Sequence, residues 1–527
     1  MNDEFLIKSK FKYSNVLNNW LILIIFLAAI LRLSFLGERP FDGDEGVMLQ
    51  FASEPNINRT LELSRTDAHP PFSFITNYFS WNYLGQSEFW IRFLPALAGI
   101  ALIYAIYKLT NLYFTQKIAL LTAFLTAISP HLITFSQENR MYSFLTLFGF
   151  CSLYFFTKLL LKIGNPLQKI LPLKRTLLLD IFFLILSNTF LVYTHHIGWI
   201  IILAEAIFWL YRLKNNRLIF IPFFLGLALT FLLYLPILNT TLAQFQGRGL
   251  DQAIGFNLIG SAKGFAKALF IFGGGSWLQD SSYKNMIMAV LFLVPAIITI
   301  HGLVYSKKYI RSSTKLLWLV IILSILAGFF SQEIGKRAER TLLFLAPIYL
   351  IYTATGLTNL WDRGEGARKI LSRGVVARLL AGSLILIFGF SLYWHYFIYN
   401  HRVGADTIAR FLGDRLLPTD TVYVRGAFFS GDTFIFQQYL NKFAPNHPDL
   451  DIISYYQDYS IGNLAQIRTK TEQNEIKQLL NQPNKNRIWY WDFSYQPMDF
   501  SDFATNQYIL GLDKENQPLI VWEIIKT

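Results

Sequence analysis

The apolar positions of this chain come in long blocks. An α-helix needs about 20 apolar residues to cross the roughly 30 Å hydrocarbon core of a bilayer. Eleven blocks approach that length: 19–36, 90–113, 117–133, 140–161, 177–193, 195–211, 217–238, 285–305, 315–331, 340–358 and 376–399. They predict a polytopic α-helical membrane protein with about eleven transmembrane helices. The short block at 117–133 and the tight pair around Thr194 let the count range up to thirteen. Lys8, Lys10 and Lys12 precede the first block, but no small-residue cleavage pattern accompanies it and ten more blocks follow. It reads as a signal anchor.

Lys and Arg set the orientation, because they concentrate in cytoplasmic loops. With the N-terminus inside, the 80 inner-segment residues hold 22 Lys/Arg, while the longer outer loops hold 11. The sequence therefore predicts an integral plasma (inner) membrane protein with a cytoplasmic N-terminus and an extracytoplasmic C-terminus. Residues 1–400 form the membrane part. Residues 401–527 lack a long apolar block and carry 12 Lys/Arg against 15 Asp/Glu. Short β-rich runs at Thr421–Arg425, Arg487–Trp491 and Pro518–Ile525, with a helix-like stretch from Ala405 to Leu416, predict a small α/β extracytoplasmic domain.

Composition changes the picture in one respect. The net charge is +13, with 53% apolar and only 15% charged residues. A basic balance can signal nucleic-acid binding. Here the inner segments carry +18, the outer loops −2 and the tail −3. The excess is topological and no nucleic-acid partner is expected. The single cysteine, Cys151, excludes an internal disulfide framework and a Cys-based zinc site, and its apolar surroundings predict a buried, inert thiol.

Candidate chemistry gathers at the outer side. The first outer loop, about 37–89, contains Phe41-Asp42-Gly43-Asp44-Glu45-Gly46 and then Asp67-Ala68-His69-Pro70-Pro71. Gly43 and Gly46 favour a turn. The prolines lead into Phe72–Leu84, about 13 residues, too short to span and predicted to lie as an interfacial helix. An ionised Asp can take a proton from an attacking hydroxyl or amine, or hold a metal with a neighbouring His. The competing reading is a solvated turn, in which Asp and Gly are common.

Three further outer ends are polar. Ser136–Tyr142 contains Glu138, Arg140 and Tyr142; an Arg here either snorkels to headgroups or grips a phosphate bidentately. Tyr193–His196 holds paired histidines, His195 and His196, and Gln332–Arg340 supplies Lys336 and Arg340. Arg32 and Arg92 sit near span ends, where snorkelling is the default. Glu205 is the one central intramembrane carboxylate, a costly placement that fits either function or helix packing.

The ordered set resembles the GT-C superfamily of membrane glycosyltransferases, on the protein O-mannosyltransferase and lipid A aminoarabinose transferase side. The resemblance rests on Asp44-Glu45 after the first span, Asp67/His69-Pro70-Pro71, Trp90–Gly99, Ser129-Pro130, Ser136–Tyr142 and Tyr193–His196. It covers about residues 15–240 well and the later spans by topology. It implies an inverting transfer of a sugar from a polyprenyl-phosphate donor to an extracytoplasmic lipid, glycan or protein acceptor. In that reading the catalytic carboxylates are Asp44, Glu45 and Asp67. His69, Asp42, Glu138, His195 and His196 orient the acceptor or bind a divalent metal ion. Arg140 and Tyr142, with Lys336, Arg340 and Arg92, hold the donor phosphate. Asp42, two residues before Asp44, competes for the role of base. The rival class is a transporter or flippase of lipid-linked sugars, which would place its polar residues near the bilayer midplane.

Overall fold

A computed structural model describes residues 19–163, 175–213, 220–247, 257–275, 284–306, 314–362, 373–401, 404–426, 431–445, 451–456, 474–482, 487–492, 504–512 and 518–525. The chain divides into two compact units. One comprises Met1–Leu36, Leu61–Thr76 and Arg92–His395; the other comprises Gly37–Thr60, Asn77–Ile91 and Tyr396–Thr527.

The first unit is helical. Each of the eleven apolar blocks lies mainly on helix where it is described, with breaks at 129, 195–197 and 342–344. Among the described residues five helices are long and apolar enough to cross a membrane: Glu88–Tyr113, Tyr142–Ile163, Thr176–Thr194, Phe220–Gln244 and Gly374–Tyr399. The pair Gln116–Ile128 and Pro130–Ser136, bent by 58°, is long and apolar enough when taken together. The apolar helices Asn19–Leu33, Leu293–Ser306 and Thr314–Phe330 are shorter. Leu345–Asp362 is buried almost throughout, from Ala346 to Asn359, so its environment is other helices rather than lipid. Close packing there depends on small residues. A Cβ on Gly302 would lie 1.8 Å from the Tyr352 carbonyl oxygen, and one on Gly356 would lie 2.1 Å from that of Ile298. Cys151 is only partly buried.

The bend has a specific cause. Pro130 has no N–H to give the Thr126 carbonyl, so the helix Gln116–Ile128 stops there and leaves carbonyls open. Arg32 fills the gap: its guanidinium donates to Thr126 O at 3.2 Å and Ala127 O at 2.9 Å. Arg32 and Arg92 are both fully buried, and Arg92 donates toward Leu36 O at 3.4 Å. Neither snorkels outward.

The second unit is built on a five-stranded sheet of β1 (Asp420–Gly426), β2 (Asp451–Tyr456), β3 (Arg487–Asp492), β4 (Ala504–Leu512) and β5 (Pro518–Ile525), in the order β2-β1-β3-β5-β4. β1 pairs in parallel with β2 and β3, and β5 antiparallel with β3 and β4. Alternation puts Val422, Val424, Trp489 and Trp491 on one face and Tyr423, Ile488 and Tyr490 on the other. The first face packs on the helices Ala405–Gly413 and Gly431–Phe443 through Ile408, Leu412, Phe436 and Leu440. The segments Gly37–Thr60 and Asn77–Ile91 complete the same core: Phe41, Leu49, Ala52, Trp81 and Ile91 are buried in it. β2 and β4 carry weaker sequence signals than the three predicted strands.

Candidate active site

The acidic pair of the first loop opens a helix rather than a turn. Asp42 is the N-cap of Gly43–Ala52 and accepts from the Glu45 amide at 3.0 Å, while the Glu45 carboxylate accepts from the Asp42 amide at 3.2 Å. This reciprocal pair is a capping box, and it satisfies two backbone donors that the helix start would otherwise leave open. Glu45 is fully buried, with Arg39 Nη2 3.8 Å from its carboxylate. Arg39 also donates to Tyr399 Oη at 2.8 Å. The cap thus occupies Asp42 and Glu45. Asp44, half-buried in the first turn at the positive end of the helix dipole, is the carboxylate of the three that the cap does not use.

Other predicted residues converge within the first unit. Asp67 stands in the loop before Phe72–Phe79, and its Oδ1 takes hydrogen bonds from the amides of Ala68 (2.6 Å) and His69 (3.0 Å) and meets His69 Nδ1 at 2.7 Å. Burial pushes the Asp67 carboxyl up, but the His69 hydrogen bond and charge, then the charge of Arg140 and the Ala68 amide, outweigh it. The net result holds Asp67 well below the usual carboxylate range. The ring centroids of His69 and His195 lie 5.2 Å apart, edge to face, and those of His195 and Tyr142 6.1 Å apart. His195 Nδ1 accepts from the Ile197 amide at 3.2 Å, which leaves its proton on Nε2. His196 Nε2 meets Gln244 Oε1 at 3.0 Å, and Gln244 Nε2 donates to the carbonyls of Ser64 (2.9 Å) and His69 (2.8 Å).

Asp67, His69, Arg140, Tyr142, His195 and His196 therefore form one group drawn from three sequence motifs. Asp67 orients the His69 ring by holding Nδ1–H, a second partner that fixes which nitrogen faces elsewhere. The Arg140 guanidinium can bind an anionic headgroup, and the imidazole held by the half-buried Asp67 carboxylate can steer a proton. Gln244 was not legible as a site residue. It lies at the end of an apolar helix with no motif around it, and only folding brings it to His196.

The remaining candidates stand on other segments. Lys336 and Arg340 sit on the short helices Gln332–Lys336 and Ala338–Thr341. Between them, Glu339 binds Lys267 Nζ at 2.8 Å and offers its carbonyl to His131 Nε2 at 2.8 Å. Glu138 is half-buried in the turn before Tyr142. Gln137 in that turn donates to the carbonyls of Arg32 (3.1 Å) and Ser34 (2.8 Å), and its Oε1 meets His395 Nε2 at 2.8 Å. Glu205 meets Ser152 Oγ at 2.5 Å and Asn188 Nδ2 at 3.4 Å. Among the described residues no three His, Cys, Asp or Glu side chains are grouped to hold a metal ion. Asp67 and His69 supply two donors, and no step is assigned to a metal.

Comparison with known proteins follows this geometry. Residues 68–170, which carry Asp67's neighbours His69 to Tyr142, match the model of the dolichyl-phosphate-mannose-protein mannosyltransferase family. ArnT from Cupriavidus metallidurans, solved with undecaprenyl phosphate, is similar over 96% of this chain and 98% of its own, at 14% identity and a TM-score of 0.55. The oligosaccharyltransferase AglB from Archaeoglobus fulgidus, solved with an inhibitory peptide and a dolichol-phosphate, is similar over 91% of this chain and 70% of its own, at 13% identity and a TM-score of 0.55. No curated protein matches the chain by sequence. The fold is that of ArnT and AglB. The family match and the likeness to ArnT agree with the resemblance read from the ordered motifs.

Proposed function

We propose that the chain is an inverting membrane glycosyltransferase that moves a sugar from a polyprenyl-phosphate donor to an acceptor outside the cytoplasm. The convergence of Asp67, His69, Arg140, Tyr142 and the two histidines after the fifth apolar block carries this reading. That group combines a cation suited to a phosphate with imidazoles suited to orienting a hydroxyl or amine. The lipid phosphates bound by ArnT and AglB support a lipid-linked donor.

In the proposed reaction Asp44 takes the proton of the acceptor as its nucleophile attacks the anomeric carbon. The bond from that carbon to the carrier phosphate breaks on the opposite face, and the phosphate leaves with its electron pair. Arg140 neutralises the charge that develops there, with Tyr142 beside it. Asp67 is a positioning residue that holds His69, and His69 and His195 orient the acceptor. Lys336, Arg340 and Arg92 belong to a wider basic surround in this reading. Residues 1–400 carry the membrane domain and 401–527 an extracytoplasmic one, with the N-terminus in the cytoplasm.

The test uses purified protein, a radiolabelled polyprenyl-phosphate sugar and a membrane extract as acceptor. Transfer lost with Asp44→Asn and Arg140→Ala is expected. Transfer at full rate in Asp44→Asn removes that residue from the base role. Movement of the sugar lipid across vesicles without transfer identifies a transporter instead.

A further inference from the structure

The second unit contains a cleft of about 370 Å³ that the reaction above does not use. It is formed by the first-loop residues around Trp81 and Glu88 and one side of the helix Gly431–Phe443. One wall is aromatic: Trp81 and Phe434 approach with ring centroids 6.1 Å apart, and Phe41 stacks on Tyr439 at 6.3 Å. The floor is fixed by a network in which Glu88 and Tyr439 are buried and Lys442 is exposed. Tyr439 Oη donates to Glu88 Oε1 at 2.8 Å and accepts from the Phe41 amide at 2.9 Å, and Lys442 Nζ lies 3.5 Å from Glu88 Oε2. The rim carries Gln86, Ser87, Gln438 and Asn441. The side chains of Gln86, Ser87 and Gln438 make no hydrogen bond among the described residues, so their donors and acceptors are available to a guest.

We infer that this cleft binds a pyranose ring of a glycan. The polarised C–H face of a sugar ring packs on the negative face of an aromatic, and its hydroxyls need paired donors and acceptors. Primary amides supply both from one side chain. A cleft with an aromatic wall on one side and two glutamines, an asparagine and a serine on the other matches that two-faced chemistry. Its volume lies at the lower end of ligand pockets, which run about 300–1,000 Å³, and suits one or two rings. The pre-bonded Glu88–Tyr439–Lys442 floor lowers the ordering cost of binding. The cleft has no acid–base pair positioned for transfer, since Glu88 is already held on both oxygens. It is a holding site for glycan, outside the transfer chemistry.

The test is a titration of the full-length protein in detergent, by calorimetry and saturation-transfer NMR. The probes are methyl glycosides of neutral hexoses and N-acetylhexosamines and their disaccharides, none carrying lipid or phosphate. At least one probe is expected to bind, with Gln438→Ala and Asn441→Ala each weakening it tenfold or more. Trp81→Ala should remove binding, and Trp81→Phe should retain part of it if loss of fold is not the cause. No glycoside bound by the wild-type protein, or unchanged affinity in both rim variants, overturns the inference. So does binding of an extended peptide at these residues in place of glycosides. Measuring transfer and glycoside binding on the same wild-type preparation separates the two readings. Glycoside binding kept while transfer is absent even from the wild type counts against the transferase alone. Transfer kept while no glycoside binds counts against the cleft alone.

Discussion

Asp67 Oδ1 lies 2.7 Å from His69 Nδ1, and the same oxygen takes the amides of Ala68 and His69. One carboxylate thus fixes both the loop backbone and the imidazole. Its folded-state pKa is depressed below the ordinary 3.8. The sign follows by linkage: ionised Asp67 stabilises the fold fully above pH about 4, and the contribution fades as pH falls toward the folded value. Asp67→Asn should therefore melt lower than wild type by a constant margin from pH 7 to 5, and the margin should shrink below pH 4. A margin that widens on acidification contradicts this arrangement.

Asp42 and Asp44 separate by substitution. Asn caps a helix about as well as Asp. Asp42→Asn should keep stability and transfer, while Asp42→Ala should lose about 1 kcal/mol of stability. Asp44→Asn should hold its melting temperature and slow transfer by roughly 10²–10⁴, the usual worth of a general base. Full transfer in Asp44→Asn combined with loss in Asp42→Asn reverses the assignment.

Arg140→Ala should slow transfer by about 10²–10³, the cost of removing one charge-stabilising donor. Arg140→Lys should recover little, because an ammonium lacks the planar fork that meets a phosphate on two oxygens. Steady-state kinetics against donor concentration measure it, and a full rescue by Lys points to simple charge neutralisation.

Arg32 and Pro130 should be coupled. Arg32→Ala leaves the Thr126 and Ala127 carbonyls short of a donor, at about 1–3 kcal/mol for each buried group. In a Pro130→Ala background the restored amide can return to Thr126 O, so the same Arg32→Ala step should cost less, by about 0.5–3 kcal/mol. Equal costs in the two backgrounds would show that the proline does not create the demand.

Glu205→Gln should keep both stability and transfer, because the amide still offers a donor and an acceptor to Ser152 and Asn188. Glu205→Leu should lower the melting temperature, since it leaves two buried polar groups without their shared partner. Loss of transfer in a stable Glu205→Gln protein would give this carboxylate a role beyond packing.

The sequence by itself determined the helical membrane architecture, because apolar length is a local property that lipid reads directly. Phe72–Leu84 illustrates this: its 13 residues form a helix ending at Gly85, whose φ of 145° few other residues tolerate. Three of the five strands were legible from their β-rich runs. The motifs that carry Asp67, His69, Tyr142 and His195 were legible as polar clusters at the ends of apolar blocks, and the fold brings them together. Asp42 and Glu45, three residues apart, form a helix cap, a local pattern where the glycines suggested a turn. Tertiary structure alone decided two things. It buried Arg32 and Arg92 against carbonyls that no local pattern exposes. It also joined Gln244 to His196 and packed Phe41, Leu49 and Trp81 with the tail sheet in one core. Those pairings span tens to hundreds of residues, and chain-local hydrophobicity carries no record of contacts at that separation.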